Sequence, residues 1–431
     1  MLVPAAYNLF ANNPGISSPD TLNSMITNAK NLYGMYDWHP AFYCMVLRGI
    51  QKVWDSTYAV ILVQYFFYTY VVTELLLYLR KKGIHESILI AVAIFTGLNA
   101  GNYLLINTIW KDIPYTLSIF WVLVLTAKFS IDFEEYKGKW YIYFEFVTAM
   151  VGMFFYRKNG MVSFIVIAVS LIVVLRKNVK LISSVVICIA LIALIKGPVY
   201  SHFQIEDSGR KGMYIGLSQD ILGAYYAGGE VAESTLQMIN VMTSYNNAEY
   251  VYNPTRAYQS YDLDIEPKKF IRNYLDTFIK NPVTMLRAVI DREDAIWDIF
   301  KGEDARLGTV NFTETQDGVE NWNTFHDKRI YRSLYEYTSI ETAYTAKSQW
   351  LSAIEWRCGL FTLLGMITLV YLMIQKGFCR YLLIFFPVFG HILSLLLSTG
   401  WSDFRYFWPL NLMNMAIILL TPVIKNNGIN L

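Results

Sequence analysis

Residues 56–79 read STYAVILVQYFFYTYVVTELLLYL, with Glu74 their single charge, and Arg80, Lys81 and Lys82 follow at once. A bilayer core takes about 20 mostly apolar residues of helix, down to roughly 17. This stretch therefore reads as a span ended by a basic clamp. Working outward, eight more runs qualify: 87–106, 114–130, 140–156, 160–175, 181–196, 357–375, 381–399 and 407–424. The whole 431-residue chain agrees: 55% of it is hydrophobic and 16% aromatic, and only 16% is charged, against about 25% in a typical soluble domain. Mean hydropathy is +0.32. These figures predict an all-α polytopic helix bundle in a lipid bilayer and exclude disordered, collagen-like and disulfide-built chains. A formal net charge of +2 gives no support to a nucleic-acid binder.

Basic residues in the short connections give an orientation. Arg80–Lys82, Lys137 with Lys139, Arg176, Lys177 and Lys180, Lys376 with Arg380, and Lys425 fall in every second connection. That side is expected to be cytoplasmic. The chain then divides into an outward N-terminal segment (1–55), six spans (56–196), an outward hydrophilic region (197–356), and three spans with a short cytoplasmic tail (357–431). Residues 200–350 hold 22 of the 34 acidic side chains and 15 of the 36 basic ones. Apolar residues spaced by three and four over 268–280 and 282–300 predict helices there, with Pro282 at a first helical position. The Asn311-Phe312-Thr313 sequon would face outward. Glu74 and Glu145 lie inside spans and are expected to face the bundle or snorkel. Gly97-Leu98-Asn99-Ala100-Gly101 predicts close helix packing. No preceding span or leader accounts for an outward tail of 55 residues, so a first helix is expected ahead of Met1. Cys44, Cys188, Cys358 and Cys379 show no metal-ligand spacing and are expected to be buried thiols. No cofactor is indicated.

Five polar strings stand beside spans on the outward side. They are Pro14-Gly15-Ile16-Ser17-Ser18-Pro19-Asp20, Asp37-Trp38-His39-Pro40, Lys111-Asp112-Ile113-Pro114, Tyr156-Arg157-Lys158-Asn159-Gly160 and Trp401-Ser402-Asp403-Phe404-Arg405-Tyr406. Each alone reads as an interfacial anchor or a cap. Together they put on one membrane face a carboxylate to act as base, cations to hold a phosphate and aromatics to stack on a sugar. Chemistry on a lipid-linked phosphosugar needs that set.

PGISSPD at 14–20, DWHP at 37–40, KDIP at 111–114, YRKNG at 156–160 and RYFWP at 405–409 resemble a bacterial membrane family of the GT-C superfamily. The resemblance implies a multi-pass cell-membrane glycosyltransferase that moves a sugar from a polyprenyl-phosphate donor to a glycan, lipid or protein acceptor. Asp20 matches the essential acid of the first external loop. Relatives often carry two adjacent acids there, where this chain has Asp20-Thr21, so a divalent metal is not implied. The expected mechanism is an inverting displacement with Asp20 as general base. Arg405 and Arg157, then Lys158 and Lys111, would hold the donor phosphate, the two arginines ranking first for their bidentate grip. Asp112, His39, Asp37 and Asp403 would position substrate. The competing readings are a lipid-linked polysaccharide polymerase or ligase working through arginines, and a secondary transporter.

Overall fold

The computed structural model describes residues 7, 10–11, 15–16, 20–176, 178–208, 211–243, 245, 251–255, 265–300, 344–377, 380–400 and 402–426. Pro14, Ser17–Pro19, Lys177, the Asn311 sequon, Cys379 and Trp401 lie outside them. The described residues are helical and contain no strand; two isolated bridges, Ile16 with Thr108 and Tyr36 with Glu206, are the only extended pairings among them.

Each of the nine apolar runs is helical. After a short amphipathic helix, α1 (Ala41–Val53), come α2 (Thr57–Lys81), α3 (Glu86–Leu98), α4 (Ala100–Ile106), α5 (Asp112–Ile131), α6 (Trp140–Tyr156), α7 (Gly160–Val174) and α8 (Val179–Leu194). Local chemistry sets several of these limits. Ser56 Oγ caps α2 by accepting from the Tyr58 N–H at 3.2 Å. Asn99 ends α3 in an extended conformation, and its side chain caps α4 through the Asn102 N–H at 3.0 Å.

Among the described residues six helices are long and apolar enough to cross a bilayer, or seven if the bent pair α3–α4 is one span. By length and composition, then, nine spans are not confirmed. The run 87–106 bends by 56° at Asn99, α6 has 17 residues and α7 has 15. The sixth run does not stop at residue 196 either. It continues past α8 through a π turn, Ile195–Val199, to His202, carrying Pro198 inside it. A wider turn absorbs the N–H that proline lacks.

α5 is the axis of the molecule, with all of its residues buried against α2, α6 and the C-terminal helices. The faces of α3, α7 and α8 carry exposed Ile, Val and Leu, as bilayer contact requires. Glu74 does face inward: it pairs with Lys128 of α5, while Glu145 accepts from the Tyr70 hydroxyl at 2.8 Å. The free thiols of Cys44, Cys188 and Cys358 are buried.

The hydrophilic region contributes α9 (Lys211–Tyr226), α10 (Glu233–Thr243), α11 (Pro267–Lys280), α12 (Pro282–Arg292) and α13 (Gln349–Glu355). The first four share a small core of their own, built from Tyr214, Ile221, Ile239, Phe270 and Met285. The chain closes with α14 (Gly359–Lys376), α15 (Phe386–Ser398) and α16 (Phe404–Asn426). α9 docks on α15, and α14 on α16. At one end of the bundle Lys81 and Lys139 pair with Glu135, Lys82 pairs with Asp132, and Lys180 reaches the Lys137 carbonyl at 3.3 Å. The polar strings gather at the other end.

A charged cluster at one end of the bundle

Two backbone stitches bring the N-terminal segment onto the bundle. The Ile16 N–H donates to Asn107 O at 2.7 Å and Ile109 N–H to Ile16 O at 3.0 Å. Thr21 Oγ1 then donates to Ile109 O at 2.7 Å. These bonds fix Asp20 beside the loop that leads into α5. Further on, Gly34 N–H bonds Phe203 O at 3.0 Å and Asp37 N–H bonds Glu206 O at 2.8 Å. The second pair of bonds ties the Asp37 string to the end of the long α8 helix.

Asp20 Oδ2 lies 3.4 Å from Arg405 Nη1, across 385 residues of sequence. Arg405 also pairs with Asp403 at 3.2 Å and donates to the Tyr406 hydroxyl at 2.9 Å. Its guanidinium stacks over Trp110 at 4.5 Å and Tyr406 at 4.8 Å. Arg157 takes the other face of the arrangement. Its Nε is 3.3 Å from Asp112 Oδ1, and its guanidinium lies 4.4 Å from the Tyr406 ring. Tyr406 thus joins the two arginines, and cation–π attraction strengthens as water is excluded. A second layer holds Tyr406 in turn. His391 contacts the Tyr406 carbonyl through Nε2 at 2.9 Å and the Tyr115 hydroxyl through Nδ1 at 2.9 Å. A carbonyl only accepts, so His391 carries its proton on Nε2.

Lys111 donates to His39 Nδ1 at 2.9 Å. An ammonium has only donors, so His39 is the acceptor and is neutral. Burial, reinforced by Lys111, Arg405 and Lys158, holds the His39 imidazole down at about 2. His39 therefore orients Lys111 rather than titrating. Lys158 pairs with Asp37 at 3.7 Å and also bonds Ser208 Oγ. The second oxygen of Asp37 accepts from the Ala41 N–H at 2.7 Å, which ties Asp37 to the start of α1. A cavity of about 600 Å³ opens on this flank, lined by Asp37, Lys196, Tyr200, Ser201 and Asp207.

All nine residues singled out from the sequence, Asp20, Asp37, His39, Lys111, Asp112, Arg157, Lys158, Asp403 and Arg405, thus stand in one connected cluster. Their ranking changes. Arg405 already faces two carboxylates, and Arg157 faces one. Lys111 has no carboxylate within ion-pair distance among the described residues, and burial pulls its ammonium down. Lys111, not an arginine, is the least compensated cation. Two participants were missed. Tyr406 and Trp110 adjoin nominated residues and carried a readable signal, an aromatic beside a cation.

The chain matches no family model, no curated protein and no solved structure. The site must be read from its own chemistry. Among the described residues no three His, Cys, Asp or Glu side chains stand close enough together to hold a metal ion. The arrangement can hold an anion on Lys111 and Arg157 and sets the Asp20 carboxyl against Arg405.

Proposed function

We propose that the protein is a multi-pass glycosyltransferase of GT-C type, which moves a sugar from a polyprenyl-phosphate donor to an acceptor hydroxyl at the extracytoplasmic face of the cell membrane. The carrying observation is the meeting of Asp20 with Arg405, 385 residues apart, beside Lys111, Asp112 and Arg157. Distant residues have no structural need to gather so many charges at one bundle end, since desolvating an ion pair costs several kcal/mol unless its geometry is good.

In this reading Asp20, whose side chain is 43% exposed, takes the proton of the acceptor hydroxyl. The acceptor oxygen bonds to the anomeric carbon as the bond from that carbon to the phosphate oxygen breaks, with inversion. Arg405 orients Asp20. Lys111 and Arg157 stabilise the charge that collects on the departing phosphate. The 600 Å³ cavity on the Lys158 side has room for a head group, and exposed apolar faces of α7 and α8 would let the lipid tail remain in the bilayer.

The transporter reading is weakened by the Lys128–Glu74 pair inside the bundle. Lys128, which pairs with Glu74, lies 5.8 Å from the Tyr136 ring, and Lys81 of the basic connection lies 5.6 Å from the same ring. The pair therefore belongs near the basic end, not at a midplane site where transporters bind cargo. The test is transfer of radiolabelled sugar from polyprenyl-phosphate donors in purified membranes carrying the protein. Membranes that transfer label at the rate of protein-free controls, over a panel of donors and acceptors, reject the reading.

A further inference from the structure

Helices α11 and α12 carry apolar residues on two faces each. The inner faces are buried, through Phe270 and Thr277 on α11 and Met285 and Ala288 on α12. The outer face of a helix that meets water is ordinarily polar. Here α11 presents Ile271, Leu275 and Ile279, and α12 presents Val283, Leu286 and Ile290, all exposed. Spacing by three and four residues puts each set in one stripe. Ile279 and Val283, each 77% exposed, flank the turn at Asn281 and join the two stripes. One exposed Leu needs no explanation, but six large apolar side chains on adjoining helices mark a surface for contact.

The end of the stripe shows what it contacts. Trp297 donates from Nε1 to Ile290 O at 3.2 Å, so its ring folds back onto the last turn of α12. Phe300 packs edge-on against Trp350 of α13 at 4.7 Å, and all three aromatics are exposed. The same segment is fastened to the start of α14. Cys358 Sγ donates to Ala295 O at 2.8 Å, and a Cβ on Gly359 would lie 2.4 Å from Asp298 O. α14 is long and apolar enough to span, and its Leu363, Ile367, Val370 and Ile374 are exposed as lipid contacts are. The apolar surface thus continues from the bilayer face of α14, through exposed aromatics at the end of that span, onto α12 and α11. Tryptophans at the end of a span sit at the level of the lipid headgroups.

The charges beside the stripes fit the same occupant. Asp276 pairs with Lys280 at 3.2 Å and Asp291 with Arg287 at 3.8 Å. Lys268, Lys269 and Arg272 are exposed on α11 and have no carboxylate within ion-pair distance among the described residues. Cations that flank an apolar stripe are placed to meet lipid phosphates. A second copy of the chain, docked face to face, would instead bring the same cations together.

We propose that the α11–α12 hairpin is a membrane-docking surface, lying on the leaflet at its own end of the bundle with both stripes among the upper acyl chains and Lys268, Lys269 and Arg272 against lipid phosphates. The inference stands on the membrane reading of the bundle and not on the transferase reading.

The test uses the purified full-length protein in phospholipid nanodiscs, with a nitroxide at Leu275→Cys or Leu286→Cys in a cysteine-free background. Oxygen concentrates among acyl chains and a nickel chelate stays in water, so the ratio of their collision rates reports depth. At both positions the ratio should shift to that of Ile367→Cys on the lipid face of α14, and away from that of exposed Glu233→Cys on α10. A ratio like that of Glu233→Cys at either position overturns the proposal. Low collision rates with both reagents overturn it as well, because protein, a second copy included, then covers the face. If the cysteine-free chain does not fold, the wild type decides, in nanodiscs that contain a phospholipid with a diazirine high on its acyl chain. Carbene adducts on peptides within 267–292 support the surface, and adducts on α14 with none within 267–292 overturn it.

Discussion

At the residue scale, Asp20 and His39 are the two groups whose expected behaviour separates chemistry from scaffolding. Asp20 precedes a short π turn but makes no cap hydrogen bond there, so its carboxylate is free to act on Arg405 or on substrate. Asp20→Asn keeps its size and removes its basicity. Transfer should fall by about 10²–10⁴-fold, with the thermal melting of the purified protein unchanged; full activity would reduce Asp20 to a structural acid. Arg405→Lys should retain more activity than Arg405→Ala, because Lys keeps the charge and loses the fork and the stack on Trp110. For His39 the sign follows from linkage. Its folded value is held at about 2, below the unfolded value near 6.5, so the unfolded chain binds the extra proton first. Stability is then fully present above pH 6.5 and declines as pH falls below it. His39→Gln keeps an acceptor for Lys111 and removes this loss. Between pH 7 and pH 5 the melting temperature of wild type should drop further than that of His39→Gln. Parallel pH profiles for the two proteins would show that His39 is not held neutral.

At the scale of elements, burial of a charge inside the bundle and close approach at a helix break are the testable features. Lys128 is 6% exposed on the axial helix α5 and pairs with Glu74 of α2. Lys128→Met leaves Glu74 uncompensated and should cost about 3–5 kcal/mol. The double change Lys128→Met with Glu74→Gln should recover most of it, since removing both charges removes the desolvation penalty as well. Denaturation of the single and double variants in detergent measures this, and a double variant no more stable than the single one contradicts the pairing. Gly101 lies in the first turn of α4, where a Cβ would meet the Glu355 carbonyl oxygen and lie 2.8 Å from the Phe404 ring. The Gly97–Gly101 spacing does mark close packing, but through a bent helix against α13 and α16. Gly101→Ala should destabilise by about 1–3 kcal/mol. Gly49→Ala, with open space around it on α1, should not destabilise at all.

For the whole molecule, the arrangement of connections has one consequence. The connections around Lys81, Lys137 and Lys180 share one end of the bundle through their contacts with Glu135 and Lys137. The candidate site and the docked helices α9 to α12 gather at the opposite end. Positive charge in short connections marks the cytoplasmic side. Cysteines introduced at Lys137 and at exposed Glu233, in a cysteine-free background, should therefore label from opposite sides of intact cells, with Glu233→Cys reacting from outside. Labelling of both from one side would defeat the orientation and, with it, an extracytoplasmic site.

Composition and run length determined the all-helical class, the positions of the nine helices and the helical nature of 268–280, because apolar content and its spacing are local properties of the chain; of the helix expected over 282–300 only Pro282–Arg292 forms, the chain leaving it through a 3-10 turn at Asp294–Ile296. They also marked the nine residues of the cluster, since interfacial polar strings are visible beside apolar runs. Run length did not determine how many helices can span. That rests on the bend at Asn99, where a side-chain cap competes with helix continuation, and on a π turn that carries α8 past Gly197-Pro198. The rest was decided by packing between distant segments. Which carboxylate meets which cation, and that His39 serves Lys111, depends on stitches such as Ile16 to Asn107. The burial of Glu293 depends on α9 and α12 docking at the end of α15. A carboxyl at the end of an amphipathic helix reads from sequence as solvated, and only the tertiary fold takes away its water.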